Sequence, residues 1–174
     1  MWMGRTGYAL AVTMLALALQ GCIMPGETPG KGNRLLDAPL YTLDGQRTSV
    51  LQMAKGKVAV FKFGASWCHW CTKQIPHLNE VAKRYPKDKV VVFDIDVQET
   101  AKVAQAYAEK EGIAYPMLLD PRGTAATLYS LSGIPVVIVA DADGIVLYRG
   151  NYTAFEELDR VIAPAVKRLG RGGG

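Results

Sequence analysis

The chain has 174 residues, 49% hydrophobic and 21% charged, a globular balance that excludes a disordered, collagen-like or coiled-coil protein. Its 20 Lys and Arg against 16 Asp and Glu leave a net charge of +4, scattered without a basic run, so no nucleic-acid partner is expected. Three cysteines are too few for a disulfide-stapled miniprotein, and the odd count asks what each one does.

Met1 to Gly7 carries one charge, Arg5, and Ala9 to Leu19 is apolar apart from Thr13. That stretch is short for a bilayer span, which takes ~20 apolar residues, and it fits the apolar region of a secretory signal peptide. It runs into Leu19-Gln20-Gly21-Cys22, which resembles a bacterial lipobox. The resemblance implies a lipoprotein signal peptide over residues 1–21 and a lipid on Cys22 as the new N-terminus. An uncleaved anchor with an incidental cysteine is the competing reading. Residues 22–34 hold Pro25, Gly26, Pro29, Gly30 and Gly32 and read as a lipidated tether, on the order of 20 Å long as a random coil.

Leu40 to Leu43 and Arg47 to Val50 flank Asp44-Gly45, a hairpin signal. Lys57 to Phe63 is an apolar, β-branched and aromatic run between Gly56 and Gly64, so a buried central strand is predicted. Cys71 to Tyr85 has helical spacing, with Ile75, Leu78, Val81, Ala82 and Tyr85 on one face. Pro76 should kink this helix. Lys89 to Val97 reads as a second apolar strand and Glu99 to Glu111 as a helix closed by Gly112. Tyr115 to Leu119 reads as a short strand and Gly123 to Leu131 as a helical turn or two. Val136 to Ala140 and Ile145 to Arg149 form a hairpin around Asp143-Gly144. Phe155 to Leu169 is an amphipathic helix interrupted at Pro164. This alternation predicts an α/β domain with a mixed sheet.

Trp67-Cys68-His69-Trp70-Cys71 lies where the buried strand ends and a helix opens. Two cysteines three apart at a helix start can close a small disulfide. The first faces free N–H groups and the positive end of the dipole, which favour a thiolate. Thiolates in such motifs have pKa values lowered from ~8.5 into the ~3.5–7.5 range, and the thiolate is the nucleophile of disulfide exchange. A c-type haem site needs His after the second Cys, and residue 72 is Thr. A zinc site needs two further ligands, yet there is no second Cys pair and His69 and His77 share one local segment. No metal or cofactor is therefore expected. An inert disulfide is the plain alternative, although so short a loop gives limited entropic stabilisation.

On these residues the chain resembles the thioredoxin superfamily, and within it the TlpA/ResA-like membrane-tethered thiol-disulfide oxidoreductases, from about Leu36 to about Leu169. The motifs that carry this are the Asp44-Gly45 hairpin, Phe61-Lys62-Phe63 leading into the Cys pair, Pro76 five residues past Cys71, Tyr115 to Asp120, and Gly133-Ile134-Pro135. The resemblance implies a thioredoxin-like α/β fold over residues 35–169, with a mixed central sheet flanked by helices. An N-terminal hairpin and a TlpA-type central insertion belong to it, and residues 170–174 follow as a flexible tail. It implies that Pro135 is cis beside the Cys pair, leaving the Ile134 backbone to pair with an extended substrate. A simple strand-start proline is the competing reading.

The resemblance also implies Cys68 as nucleophile, Cys71 as resolving thiol and a redox-active Cys68–Cys71 disulfide. It implies a reductant on the periplasmic side of the cell envelope, recharged by a membrane thiol donor of the DsbD/CcdA type. Its substrates would be disulfides of exported proteins, apocytochromes c in cytochrome c maturation or metal-site assembly proteins among them. A disulfide oxidase or isomerase, and a copper-binding assembly module, are the rivals. A thiol peroxidase lacks its peroxidatic Cys context here.

Several positions depart from the family pattern. Lys62 stands where thioredoxins carry a buried Asp, and two placements fit: beneath the Cys pair, favouring its thiolate, or snorkelling to solvent. Gln74 stands where ResA-like members often have Glu. Glu99 matches another acidic family position, as proton acceptor, and fits equally a first-turn helix Glu favoured by the dipole. His69, when protonated, would favour the Cys68 thiolate. Trp67 and Trp70 read either as an apolar docking rim or as cover for the sulfurs.

Overall fold

The computed structural model describes residues 29–170; Cys22 and the signal segment lie outside them. The Asp44-Gly45 turn, with Gly45 at φ 85°, joins β1 (Pro39–Thr42) to β2 (Arg47–Ser49). Ser49 then caps a short helix, α1 (Val50–Ala54), by accepting the Gln52 N–H at 3.2 Å. The buried strand β3 (Val58–Gly64) leads into α2 (His69–Arg84), and β4 (Val90–Val97) into α3 (Ala101–Glu111). There follow β5 (Met117–Asp120), α4 (Thr124–Leu128), the hairpin β6 (Val136–Ala140) and β7 (Val146–Gly150), and α5 (Phe155–Leu169).

The strands make one mixed sheet in the order β2-β1-β5-β4-β3-β6-β7. The pairs β4-β3 and β5-β4 are parallel, each joined by a helical crossover through α2 or α3, and β3-β6 is antiparallel. Alternation along β3 divides the core. Ala59, Phe61 and Phe63 pack with Val50, Ala54, Ala125 and Tyr129 under α1 and α4. Val58 and Val60 pack with Leu78, Val81, Leu158 and Ile162 under α2 and α5. By the same period of two, Lys62 and Gly64 lie on the α2 face.

The expected α/β fold with its mixed sheet is observed, with differences at element ends. Helix α1 was not expected, because five residues are too few to show a helical period. Helix α2 begins two residues earlier than the apolar spacing indicates, because its first turn is exposed rather than core-facing. Pro76 and Pro164 lie inside continuous helices. Each proline removes one N–H donor, while Ile75, Leu78 and Val81 of α2 and Leu158, Ile162 and Ala165 of α5 remain buried and hold both halves on the sheet. Thr100 caps α3 through its side chain, so Glu99 lies before that helix rather than in its first turn.

Candidate active site

Cys68 is the N-cap of α2, and its Sγ accepts the Cys71 N–H at 3.2 Å. A sulfur aimed at the unpaired N–H groups of a helix start is stabilised as an anion. Cys68 and Cys71 form a disulfide, with Cα atoms 5.2 Å apart. Cys71 is wholly buried and Cys68 nearly so, so of these two sulfurs that of Cys68 is the one an incoming group can approach. The Ile134-Pro135 peptide is cis, and the Ile134 carbonyl oxygen lies 3.7 Å from the Cys68 Sγ. Proline has no N–H to offer here, and on this side the sulfur faces the Ile134 carbonyl.

Beneath the pair lies Lys62, fully buried, with Nζ 2.9 Å from an Asp94 carboxylate oxygen. The contact is an ion pair rather than an aligned hydrogen bond. Burial pushes the Asp94 carboxyl above its ordinary range, against the opposing pull of Lys62. A Cβ on Gly64 would stand 2.5 Å from the Lys62 Nζ and 3.4 Å from the Cys71 Sγ. A side chain at residue 64 would therefore displace the Lys62 ammonium, and the ammonium and the sulfur are within about 6 Å of each other. Of the two placements open for Lys62, the buried one is observed.

Glu99 accepts from the Ser66 N–H at 2.7 Å and from the Ser66 hydroxyl at 2.6 Å, which fixes the segment leading into Trp67-Cys68. Burial alone would raise Glu99, but the Ser66 hydroxyl and N–H, with Asp96, hold it below its usual value. Its neighbour Asp96 is pushed up to about 8, first by burial and then by its hydrogen bond to Glu99 and by the charges of Glu99 and Asp94. Burial thus favours the neutral form of Asp96 beside the charged form of Glu99.

Trp67 and Trp70 are exposed, so they rim the site rather than cover the sulfurs. His69 is exposed as well and sets its ring edge-on to Trp70 at 6.0 Å; no bond from it to Cys68 is present. Gln74 is fully buried and clamps the backbone before α5, donating to the Thr153 carbonyl at 2.8 Å and accepting the Thr153 N–H at 2.6 Å.

The structure therefore gathers Cys68, Cys71, Ile134, Pro135 and Lys62 around one disulfide and sets Glu99 behind the approach segment. Asp94 and Asp96 were missed in the sequence, where they sit within an apolar strand. The signal was available: two carboxylates at a spacing of two in Val90-Val91-Val92-Phe93-Asp94-Ile95-Asp96 place both on the α2 face of a central strand, where neither reaches water.

The AhpC/TSA family profile matches residues 32–149. Thioredoxin-like protein YneN of Bacillus subtilis is 30% identical over 119 residues, covering 67% of this chain and 68% of that protein. Thiol-disulfide oxidoreductase ResA of Bacillus thuringiensis subsp. konkukian is 27% identical over 149 residues, covering 83% and 86%. Among solved structures, a thiol:disulfide interchange protein of the thioredoxin family from Chlorobium tepidum superposes with a TM-score of 0.66 at 25% identity, covering 79% of this chain and 98% of that one. The fold is thioredoxin-like.

Proposed function

The chain belongs to the AhpC/TSA family and is a thiol-disulfide oxidoreductase of the ResA type, and from that premise we propose that it reduces disulfides of exported proteins. The observation that carries the exchange chemistry, in either direction, is Cys68 at the N-cap of α2, its sulfur on the Cys71 N–H and Cys71 sealed behind it. In the reduced protein the Cys68 thiolate attacks a substrate disulfide. A Cys68–substrate disulfide forms, and one substrate sulfur leaves as a thiolate that takes up a proton. Cys71, deprotonated, then attacks the Cys68 sulfur. The second substrate thiol leaves, the Cys68–Cys71 disulfide closes, and two electrons have passed to the substrate. Ile134 offers its backbone to the extended substrate, with Pro135 beside it, and Glu99 steadies the approach segment through Ser66.

A membrane thiol donor of the DsbD/CcdA type recharges the disulfide in this reading, and apocytochromes c in cytochrome c maturation, or metal-site assembly proteins, are the substrates. Residues 1–21 act as a lipoprotein signal, 22–34 as tether and 35–169 as the domain. Residues 115–120 serve as the TlpA-type insertion and 170–174 as a tail. Lipidated Cys22 holds the protein on the periplasmic side of the cell envelope; among the described residues no helix is long and apolar enough to cross a membrane. Labelled palmitate that enters the protein equally with Cys22→Ser overturns this anchoring.

Two observations favour the opposite direction, a disulfide oxidase or isomerase. The Lys62 ammonium near Cys71 and the helix N–H on Cys68 both stabilise thiolates, hence the reduced form, which makes the couple more oxidising. The reduction potential decides: below about −250 mV the protein is a reductant, near −120 mV an oxidant. The mechanism itself is tested with two variants. Cys71→Ala should accumulate mixed disulfides with its substrates in cells, and Cys68→Ser should lose disulfide reductase activity; retained activity in Cys68→Ser overturns the assignment.

A further inference from the structure

Trp67, Trp70 and Tyr152 stand 73%, 53% and 42% exposed. Large aromatic surface left in water is unfavourable at about 25 cal/mol per Å², and these rings cover no core. Yet the Trp70 and Tyr152 side chains are held in place. They meet edge to face at 5.5 Å, and the Tyr152 hydroxyl lies 2.7 Å from the His77 Nε2. The His77 Nδ1 accepts the Phe155 N–H at 3.2 Å, which leaves the ring proton of the neutral imidazole on Nε2 and makes His77 the donor to Tyr152. The Lys73 ammonium sits 4.8 Å from the centre of the Trp70 ring. Among the described residues the carboxylates in ion pairs are Asp94, with Lys62, and Glu111, with Lys110, so none neutralises Lys73. The first turn of α2 also carries no acidic residue.

A fixed aromatic step with an unneutralised cation on it, beside a sulfur that reacts with disulfides, has the chemistry of a substrate subsite. We propose that Trp70, Tyr152 and Lys73 bind the segment next to the reacting cystine of an extended polypeptide. An aromatic side chain of that segment packs on the Trp70–Tyr152 step, and a neighbouring carboxylate meets Lys73. The charge argues for this occupant: a basic segment would be repelled by Lys73, and an apolar one would leave its ammonium unpaired. The inference rests on the oxidoreductase reading and adds the class of sequence it selects. Trp70, Tyr152 and Lys73 act here as specificity residues, with the sulfur chemistry left to Cys68 and Cys71.

The test measures second-order rates at which the reduced protein reacts with oxidised glutathione and with short synthetic peptides. Each peptide holds one intramolecular disulfide, flanked by Phe-Glu, Ala-Gln or Phe-Lys. One aromatic contact plus one ion pair predicts a preference for the Phe-Glu peptide over the Ala-Gln peptide of about tenfold. Trp70→Ala should erase that preference and Trp70→Phe retain most of it. Lys73→Glu should invert the order of the Phe-Glu and Phe-Lys peptides. Leu51→Ala, at an exposed apolar residue of α1, should leave the order of the peptides as it is. Equal rates for all three peptides, with glutathione disulfide still reduced, overturn the subsite and leave the oxidoreductase reading intact. Failure with every disulfide overturns that reading and the subsite with it. Self-association on sedimentation that Trp70→Ala abolishes would assign the patch to a second copy of the chain and overturn the peptide subsite.

Discussion

Lys62 and Asp94 are register partners across the parallel strands β3 and β4, and their side chains close an ion pair at 2.9 Å without access to water. Removing two charges from water costs several kcal/mol per ion, and their attraction offsets this only in part. Such a pair is poor evidence for stability. What it does accomplish is a fixed positive charge close behind the Cys71 sulfur, on the face of β3 that α2 covers.

Removing one partner alone should therefore be costly. Lys62→Met strands the Asp94 carboxyl in the core, with an expected loss of about 3–5 kcal/mol, whereas Lys62→Met with Asp94→Leu should recover most of it. Urea unfolding of the two single variants and the double one checks this. A double variant as unstable as the sum of the singles would show that the two side chains do not act as a pair.

The parts of the protein visible in the sequence were those with a local physical signature. The Cys pair at a strand-to-helix junction, the Gly45 and Gly144 turns and the apolar runs of β3, β4 and β6 all announce themselves by spacing or composition. The tertiary pairings do not. Nothing local says that Lys62 meets Asp94 across two strands, that Glu99 receives Ser66 from 33 residues away, or that Gln74 clamps Thr153 across 79 residues. Each depends on register between elements. Gln74 illustrates the point: read against a family habit it is a missing carboxylate, whereas in the fold it both donates to and accepts from the Thr153 backbone without carrying a charge.

Stability should fall as pH rises from about 4 to about 8. In the native state Asp96 keeps its proton up to about 8, whereas in the unfolded chain it ionises near ~3.9. Between those values the native state binds more protons than the unfolded state, so stability declines with pH and levels off above the window. Asp94 is shifted the same way. Glu99, held low, acts oppositely and loses its contribution only in acid, so the maximum should lie near pH 4, at the acid end of that window. Asp96 alone accounts for a decline on the order of 3–5 kcal/mol. Asp96→Asn removes the titrating carboxyl at nearly constant shape and should make the decline distinctly shallower. An identical slope in thermal melts of both proteins from pH 5 to pH 8 would show that Asp96 does not hold its proton across that window.

Gln74→Glu should be tolerated in acid and damaging at neutral pH. A protonated Glu can still donate to the Thr153 carbonyl and accept the Thr153 N–H. Once ionised, it sets a buried carboxylate against that carbonyl, at a cost of about 2–4 kcal/mol. Melting temperatures at pH 5 and pH 8 separate the two states. A loss equal at both pH values would mean that the Gln74 clamp is not limited by its donor.

Lys62→Met should also make the reduction potential more negative. At ~6 Å and an effective dielectric of ~20 the ammonium attracts a Cys71 thiolate by up to about 3 kcal/mol, and the carboxylate of Asp94 cancels part of this. A remaining effect of about 1.4 kcal/mol on the reduced form corresponds to about 30 mV for this two-electron couple. Equilibration of the protein with a dithiol–disulfide buffer of known ratio gives the potential directly. The same measurement on Lys62→Met with Asp94→Leu removes the complication of a stranded carboxyl, and the shift should persist in the negative direction. If both variants kept the parent potential, the buried cation would have no part in setting the redox balance of the Cys68–Cys71 pair, and its role would be confined to the register of β3 against β4.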